Sequence, residues 1–170
     1  LKSKGSSKKR KSTTIKKWTL TGFTAKTKNI SKNEAHCLKV LVKKLDKDVK
    51  IPSYAHDGDA GVDLYANQEI KVEPGAIALV PTGIKIAIPL GFEAQVRPKS
   101  GLALKNGITV LNTPGTIDAG YRGEVGVIVV NHGKEAFTIE KGKKIAQMVF
   151  NKIEKAELEE VEELDETSRN

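Results

Sequence analysis

Residues Asn112 to Gly123 read NTPGTIDAGYRG, and the chain is organised around them. Three glycines and a proline punctuate the run, with one carboxylate, Asp118, between Ile117 and Ala119. Glycine supplies backbone conformations that other residues resist and lets a ligand approach the main chain. The neighbouring Ile108, Val110, Ile117, Val125 and Val127 have strand character. The expectation is a β-hairpin with a pocket at its turn. Asp118, held on rigid strands, is either a general base or a solvated turn residue.

Outward from this run the pattern stays β. Leu38 to Leu45 alternates over its first half, and a short strand is expected around Val62 to Tyr65. AIALVPTGIKIAIPLG from Ala76 holds two strand segments with a turn at Pro81-Thr82-Gly83, and Ile84, Ile86 and Ile88 share one face. Phe92 to Val96, the β-branched run Glu124 to Asn131, Ala136 to Ile139 and KIAQMVF complete the set, with one helical turn at Ser100 to Leu104. Short strands with frequent turn signals argue for an all-β sandwich or barrel. Leu158, Val161 and Leu164 fall at helical spacing, but eight acids between Asn151 and Asn170 mark an arm leading away from the core.

The net charge of +8 belongs to one end. Residues 1–36 carry eleven Lys and Arg against Glu34 alone, a net of +10, which leaves 18 basic and 20 acidic residues for the rest. That tail has too few apolar residues to fold alone and reads as disordered. Lys8-Lys9-Arg10-Lys11 suits a nuclear address, a nucleic-acid contact or simply a solvated tail, and the Ser/Thr-rich composition also suits an organellar transit segment. The division expected is 1–36 as tail, 37–153 as β domain and 154–170 as acidic arm.

No stretch has the apolar length of a membrane span, so a soluble chain is expected. Cys37 alone excludes an intrachain disulfide and fits a reducing compartment, with the cytoplasm as the first expectation and the nucleus or an organelle as the alternatives. His36, His56 and His132 show no metal-ligand spacing and read as surface residues. Asp57, Asp59 and Asp63 lack the twelve-residue pattern of a calcium hand.

Four blocks then fall in order: AGVDLYA from Ala60, RPKSGLA from Arg97, NTPGTIDAGYRGE from Asn112 and KKIAQM from Lys143. Together they resemble the trimeric dUTP diphosphatase (dUTPase) family over roughly Leu38 to Arg169. The resemblance implies a jelly-roll-like fold and a homotrimer with active sites at subunit interfaces. It also implies Mg2+-assisted hydrolysis of dUTP to dUMP and pyrophosphate by water attack at the α-phosphorus. Asp118 matches the carboxylate that activates this water, and Asp63 the acid that meets the metal through water. Lys99, Ser100, the Gly101 N–H and Gln147 match phosphate contacts, with a helix N-cap as the other reading of Ser100. Asn112, Gly115, Thr116 and Ile117 match the uracil-reading segment, and Tyr121 the ring beneath the deoxyribose.

Three departures stand out, the largest at the C-terminal end. Lys99 replaces the usual Arg, exchanging a planar bidentate donor for a point charge, and Gly120 replaces a commonly polar residue, which loosens the turn. Arg169 matches the first residue of a fifth block that normally reaches the γ-phosphate, but the Gly-rich, Phe-containing arm expected after it is not part of the sequence. Weaker binding and slow turnover are expected on that count. Two other readings stay open. In a dCTP deaminase a Glu would be expected where Ile128 stands, and a dUTP-binding sensor would have no need of Asp118. Nucleic acid is expected as a partner only through the basic tail, and no membrane partner is expected.

Overall fold

The computed structural model describes residues 37–169, so the basic tail and every reading placed on it lie outside the described residues. Among the described residues there are eleven strands and one short helix, and those from Leu38 onward form a compact unit. The larger of its two main sheets has the order β2-β11-β6-β8, with β2 at Gly61–Tyr65, β11 at Lys144–Lys152, β6 at Phe92–Pro98 and β8 at Gly115–Ile117. The second has the order β4-β9-β7, from Ile77–Pro81, Gly126–Asn131 and Ile108–Val110. Two outer pairs complete the unit: β1 (Leu41–Lys44) with β5 (Ile84–Ala87), and β3 (Ile70–Val72) with β10 (Phe137–Ile139). All of these pairings are antiparallel, and the architecture is an all-β jelly roll.

Alternation along the strands builds the core. Leu64, Ala94, Val96, Ala146 and Met148 from the four-stranded sheet join Val80, Ile108, Val110, Val127 and Val129 from the three-stranded one in a single apolar cluster. Enclosing a side chain such as Leu64 completely contributes roughly 1.5–3 kcal/mol. Ile84, Ile86 and Ile88 are all buried, as their shared face requires.

The strands flanking Pro81-Thr82-Gly83 are both present, and the turn between them carries the chain from one partner to another, because β4 pairs with β9 while β5 pairs with β1. The pairing corrects one local expectation, the β-hairpin at Asn112 to Gly123. The Asn112 segment does not join a hairpin. Leu111 donates its N–H to Ile128 O at 2.8 Å, so β7 stays on β9, while Gly115–Ile117 pair with Val96–Ala94 of β6. The segment therefore crosses between the two main sheets, through a cis Thr113–Pro114 peptide. The first strand is also shorter than Leu38 to Leu45, and its four residues are exposed.

Asn131, fully buried at the end of β9, fastens an outer pair. Its Nδ2 donates to Val72 O at 2.9 Å and to Glu135 O at 2.8 Å, and its Oδ1 accepts from Gly133 N at 2.8 Å. Residues 154–169 form no strand or helix, and Leu158 and Leu164 on that arm are 92% and 84% exposed.

Candidate active site

Two cavities hold most of the residues singled out by sequence. The first, about 440 Å³, is lined by Asp63, Lys99, Ser100 and Gln147, together with His56, Asp59 and Lys144. Three separated elements converge there, because β11 runs between β2 and β6 and sets Gln147 opposite both Asp63 and Arg97. Lys99 follows the end of β6 directly, and the helix α1 (Ser100–Asn106) begins at the next residue.

Asp63 is the electrostatic centre of this cavity. Its side chain is only 5% exposed, and Lys99 and Lys144 close on its two oxygens. Lys144 Nζ stands 2.6 Å from Oδ2, and Lys99 Nζ bonds Oδ1. Burial pushes the carboxyl up, but the hydrogen bonds and charges of Lys144 and Lys99 outweigh it and hold Asp63 below its ordinary value. The hydrogen bond and charge of Asp63 in turn raise Lys144.

Gln147 Nε2 donates to Pro98 O at 3.0 Å, which fixes the amide at the cavity wall. Ser100 is the first helical residue and not the cap. Lys99 takes the N-cap position without a side-chain cap, and its carbonyl receives Leu102 and Ala103 N–H. The Ser100 hydroxyl is thus not committed as a cap, and the space beside Gly101 is open.

The second cavity, about 160 Å³, is lined by Thr116, Ile117, Asp118 and Tyr121 with Glu124, Val125 and Gly126. β8 delivers Thr116 and Ile117, and a turn closed by Tyr121 N to Asp118 O at 3.0 Å follows. Tyr121 Oη donates to Glu124 O at 2.8 Å, while Glu124 Oε1 accepts from Gly83 N at 2.7 Å. The ring is thus tied to the β4–β5 connection. Asn112 lies outside the cavity lining, with its amide against Gly115, where an added Cβ would stand 3.0 Å from Asn112 Nδ2. Arg169 is exposed on the arm and lines neither cavity. Gly120 has open space beside it and no positive φ, so nothing in the structure explains a glycine there.

Sequence reasoning did not single out Lys144 or Glu124, and it set aside two other lining residues, reading His56 as a surface residue and finding no calcium hand at Asp59. Lys144 and Glu124 sit inside blocks already singled out, KKIAQM and YRGE, where their charge was the available signal.

The comparisons with known proteins fit this layout, in which separated blocks on a jelly roll build two cavities. The dUTPase family model matches residues 47–170. A deoxyuridine 5'-triphosphate nucleotidohydrolase of Alkaliphilus metalliredigens is 58% identical over 130 residues, covering 76% of this chain and 90% of that protein. Its namesake in Clostridium tetani is 59% identical over 128 residues, covering 75% and 88%. The chain belongs to the dUTPase family. Among solved structures, a mutant dUTPase of Staphylococcus bacteriophage 80alpha with dUpNHpp superposes with TM-score 0.71 at 28% identity, covering 77% of this chain and 92% of that one. A mutant dUTPase from phage phi11 of S. aureus, whose structure shows the coordination of a structural Mg(II) ion, gives 0.70 at 26% identity, covering 75% and 99%. No helix among the described residues is long and apolar enough to cross a membrane.

Proposed function

We propose that the protein hydrolyses dUTP to dUMP and pyrophosphate, with water attacking the α-phosphorus. The observation that carries this reading is the convergence of Asp63, Lys99, Ser100 and Gln147, from three sequence blocks, on one cavity, with Asp118 and Tyr121 lining another. Lys99, Ser100, Gly101 and Gln147 hold the phosphates and offset their charge. Asn112, Gly115, Thr116 and Ile117 receive uracil, Tyr121 packs under the deoxyribose and disfavours a 2′-hydroxyl, and Asp118 orients and deprotonates the attacking water. Arg169 reaches the γ-phosphate.

The donor set suits Mg2+ carried in by the substrate. Among the described residues no three His, Cys, Asp or Glu side chains stand close enough to cage a metal, and Mg2+ keeps several waters when phosphates supply its other ligands. Asp63 would meet that water shell. When bound, the ion supplies charge neutralisation on the phosphate oxygens.

The working unit is a homotrimer. In one chain the two cavities share no lining residue, and a second copy brings a base-reading segment to a phosphate cavity. The outer face of the β4-β9-β7 sheet supports this, because Ile77, Leu79 and Leu111 are 60%, 63% and 48% exposed in the single chain. The cytoplasm is the compartment proposed, with the nucleus or an organelle as alternatives set by the tail.

The test is pyrophosphate release from dUTP, with dCTP, dTTP and UTP alongside, each with and without Mg2+. Selective, Mg2+-stimulated release from dUTP is expected. Binding of dUTP without any release would overturn the hydrolase reading in favour of a nucleotide sensor.

A further inference from the structure

Along the paired strands β2 and β11, Asp63 faces Gln147 and Leu64 faces Ala146. Regular pairing would next set Tyr65 opposite Ile145. Instead Tyr65 faces Lys144, which makes Ile145 the extra residue of a β-bulge. Ile145 and Ala146 both turn into the core, at 3% and 0% exposure. Lys144 is thereby moved to the face that carries Asp63 and Gln147, where strict alternation would have sent it to the opposite side. From this diagonal position its Nζ reaches Asp63 Oδ2 at 2.6 Å.

Asp63 therefore has two cationic partners on different mountings. Lys99 stands at the loop end of β6, one peptide before Ser100, in the same cavity. Lys144 stands on a strand paired with β2. A carboxylate only 5% exposed is costly to leave without a counter-charge. If Lys99 turns to an incoming phosphate oxygen, another cation has to stay behind.

We propose that Lys144 is a positioning residue: it holds Asp63 in place and compensated while Lys99 passes from Asp63 to the triphosphate. Lys144 acts through Asp63 and does not touch the substrate. The inference rests on the dUTP reading above, and it explains why the bulge sits at this point of β11. It also separates triphosphate from monophosphate ligands, since dUMP has no outer phosphates to draw Lys99 away.

The experiment is calorimetric binding of non-hydrolysable α,β-imido-dUTP and of dUMP, each with and without Mg2+. It compares the wild-type chain with Lys144→Met, Lys144→Arg and, as a control, Lys143→Met, whose lysine instead pairs with Glu140 at 3.2 Å. Lys144→Met is expected to weaken the triphosphate analogue about tenfold, the scale of one charge-assisted hydrogen bond, and to leave dUMP unchanged. Lys144→Arg restores most of the affinity, and Lys143→Met has no effect. The Lys99→Met/Lys144→Met double variant loses less affinity than the sum of the two single losses. Lys144→Gln repeats the comparison should the Met variant fold poorly. Wild-type affinity for the analogue in Lys144→Met, an equal loss for analogue and dUMP, or the same loss in Lys143→Met would each overturn the proposal. A wild-type chain that binds neither nucleotide would overturn the dUTP reading itself.

Discussion

Gln147 rests against the bare backbone of Gly61: a Cβ added at Gly61 would lie 2.9 Å from Gln147 Oε1 and 3.3 Å from Gln147 Cβ. The missing side chain leaves the amide free to stand between Pro98 O and the cavity that holds Asp63 and Lys99. Gly61→Ala should swing Gln147 aside and cost about one hydrogen bond to the triphosphate, roughly 1 kcal/mol, or about fivefold in affinity. Titration with a non-hydrolysable analogue measures it, and an unchanged dissociation constant would count against a phosphate role for Gln147.

Asp118 is exposed at the rim of the smaller cavity, on the turn after β8. Asp118→Asn keeps the shape and removes the proton acceptor. Turnover should fall about 10²–10⁴-fold, the range of a lost general base, while binding of the analogue persists. Parallel loss of both would make Asp118 a structural residue.

Tyr121 is held by the Glu124 carbonyl at 2.8 Å and packs against the backbone of Gly123, where a Cβ would collide with the phenol. Tyr121→Ala should narrow the preference for dUTP over UTP. Gly123→Ala, which displaces the ring without removing it, should do the same to a lesser degree. A UTP/dUTP ratio of kcat/KM identical to wild type in both variants would dismiss the ring as the sugar discriminator.

The folded-state pKa of Asp63 lies below its ordinary 3.8. A depressed carboxyl contributes stability that is fully present above 3.8 and is lost as the pH falls through the lower folded value. Wild-type protein should therefore lose more stability between about pH 4 and pH 2 than Asp63→Asn, which has no such group to protonate. Denaturant midpoints across that window measure the difference, and superimposable slopes would mean that the two lysines do not stabilise the fold through Asp63.

Leu79 lies over Gly126 on the outer face of the three-stranded sheet, and a Cβ at Gly126 would stand 2.6 Å from Leu79 Cδ1. Leu79→Lys leaves the core intact and should shift the protein from trimer toward monomer in light scattering, with activity falling in step. A monodisperse, active Leu79→Lys trimer would place the subunit contact elsewhere.

The strands were legible because β-branched runs and alternation survive in the sequence, as in Ile84, Ile86 and Ile88. Their partners were not. β4 and β5 are consecutive and separated by a turn signal, yet each pairs with a remote segment, and the same holds for β7 and β8. Turn chemistry reports where a chain bends and not which sheet receives it. β3 escaped notice because three residues with a central lysine are too short to establish a period. Within the cavities, the blocks identified Asp63, Lys99, Ser100 and Gln147 one at a time. Lys144 was hidden because strict alternation across Lys144-Ile145-Ala146-Gln147 puts it on the opposite face from Gln147, and only the bulge reverses that.

The amide of Asn131 joins three segments at one buried point. The pair β3–β10 stands apart from the two main sheets, and Asn131 ties it to β9 through Val72 O and Glu135 O. Losing that amide would strand buried carbonyls at about 1–3 kcal/mol each. One uncharged side chain thus joins β9 to a strand pair whose Val72 and Ile139 are themselves seated in the core, so polar and apolar fastenings share that junction.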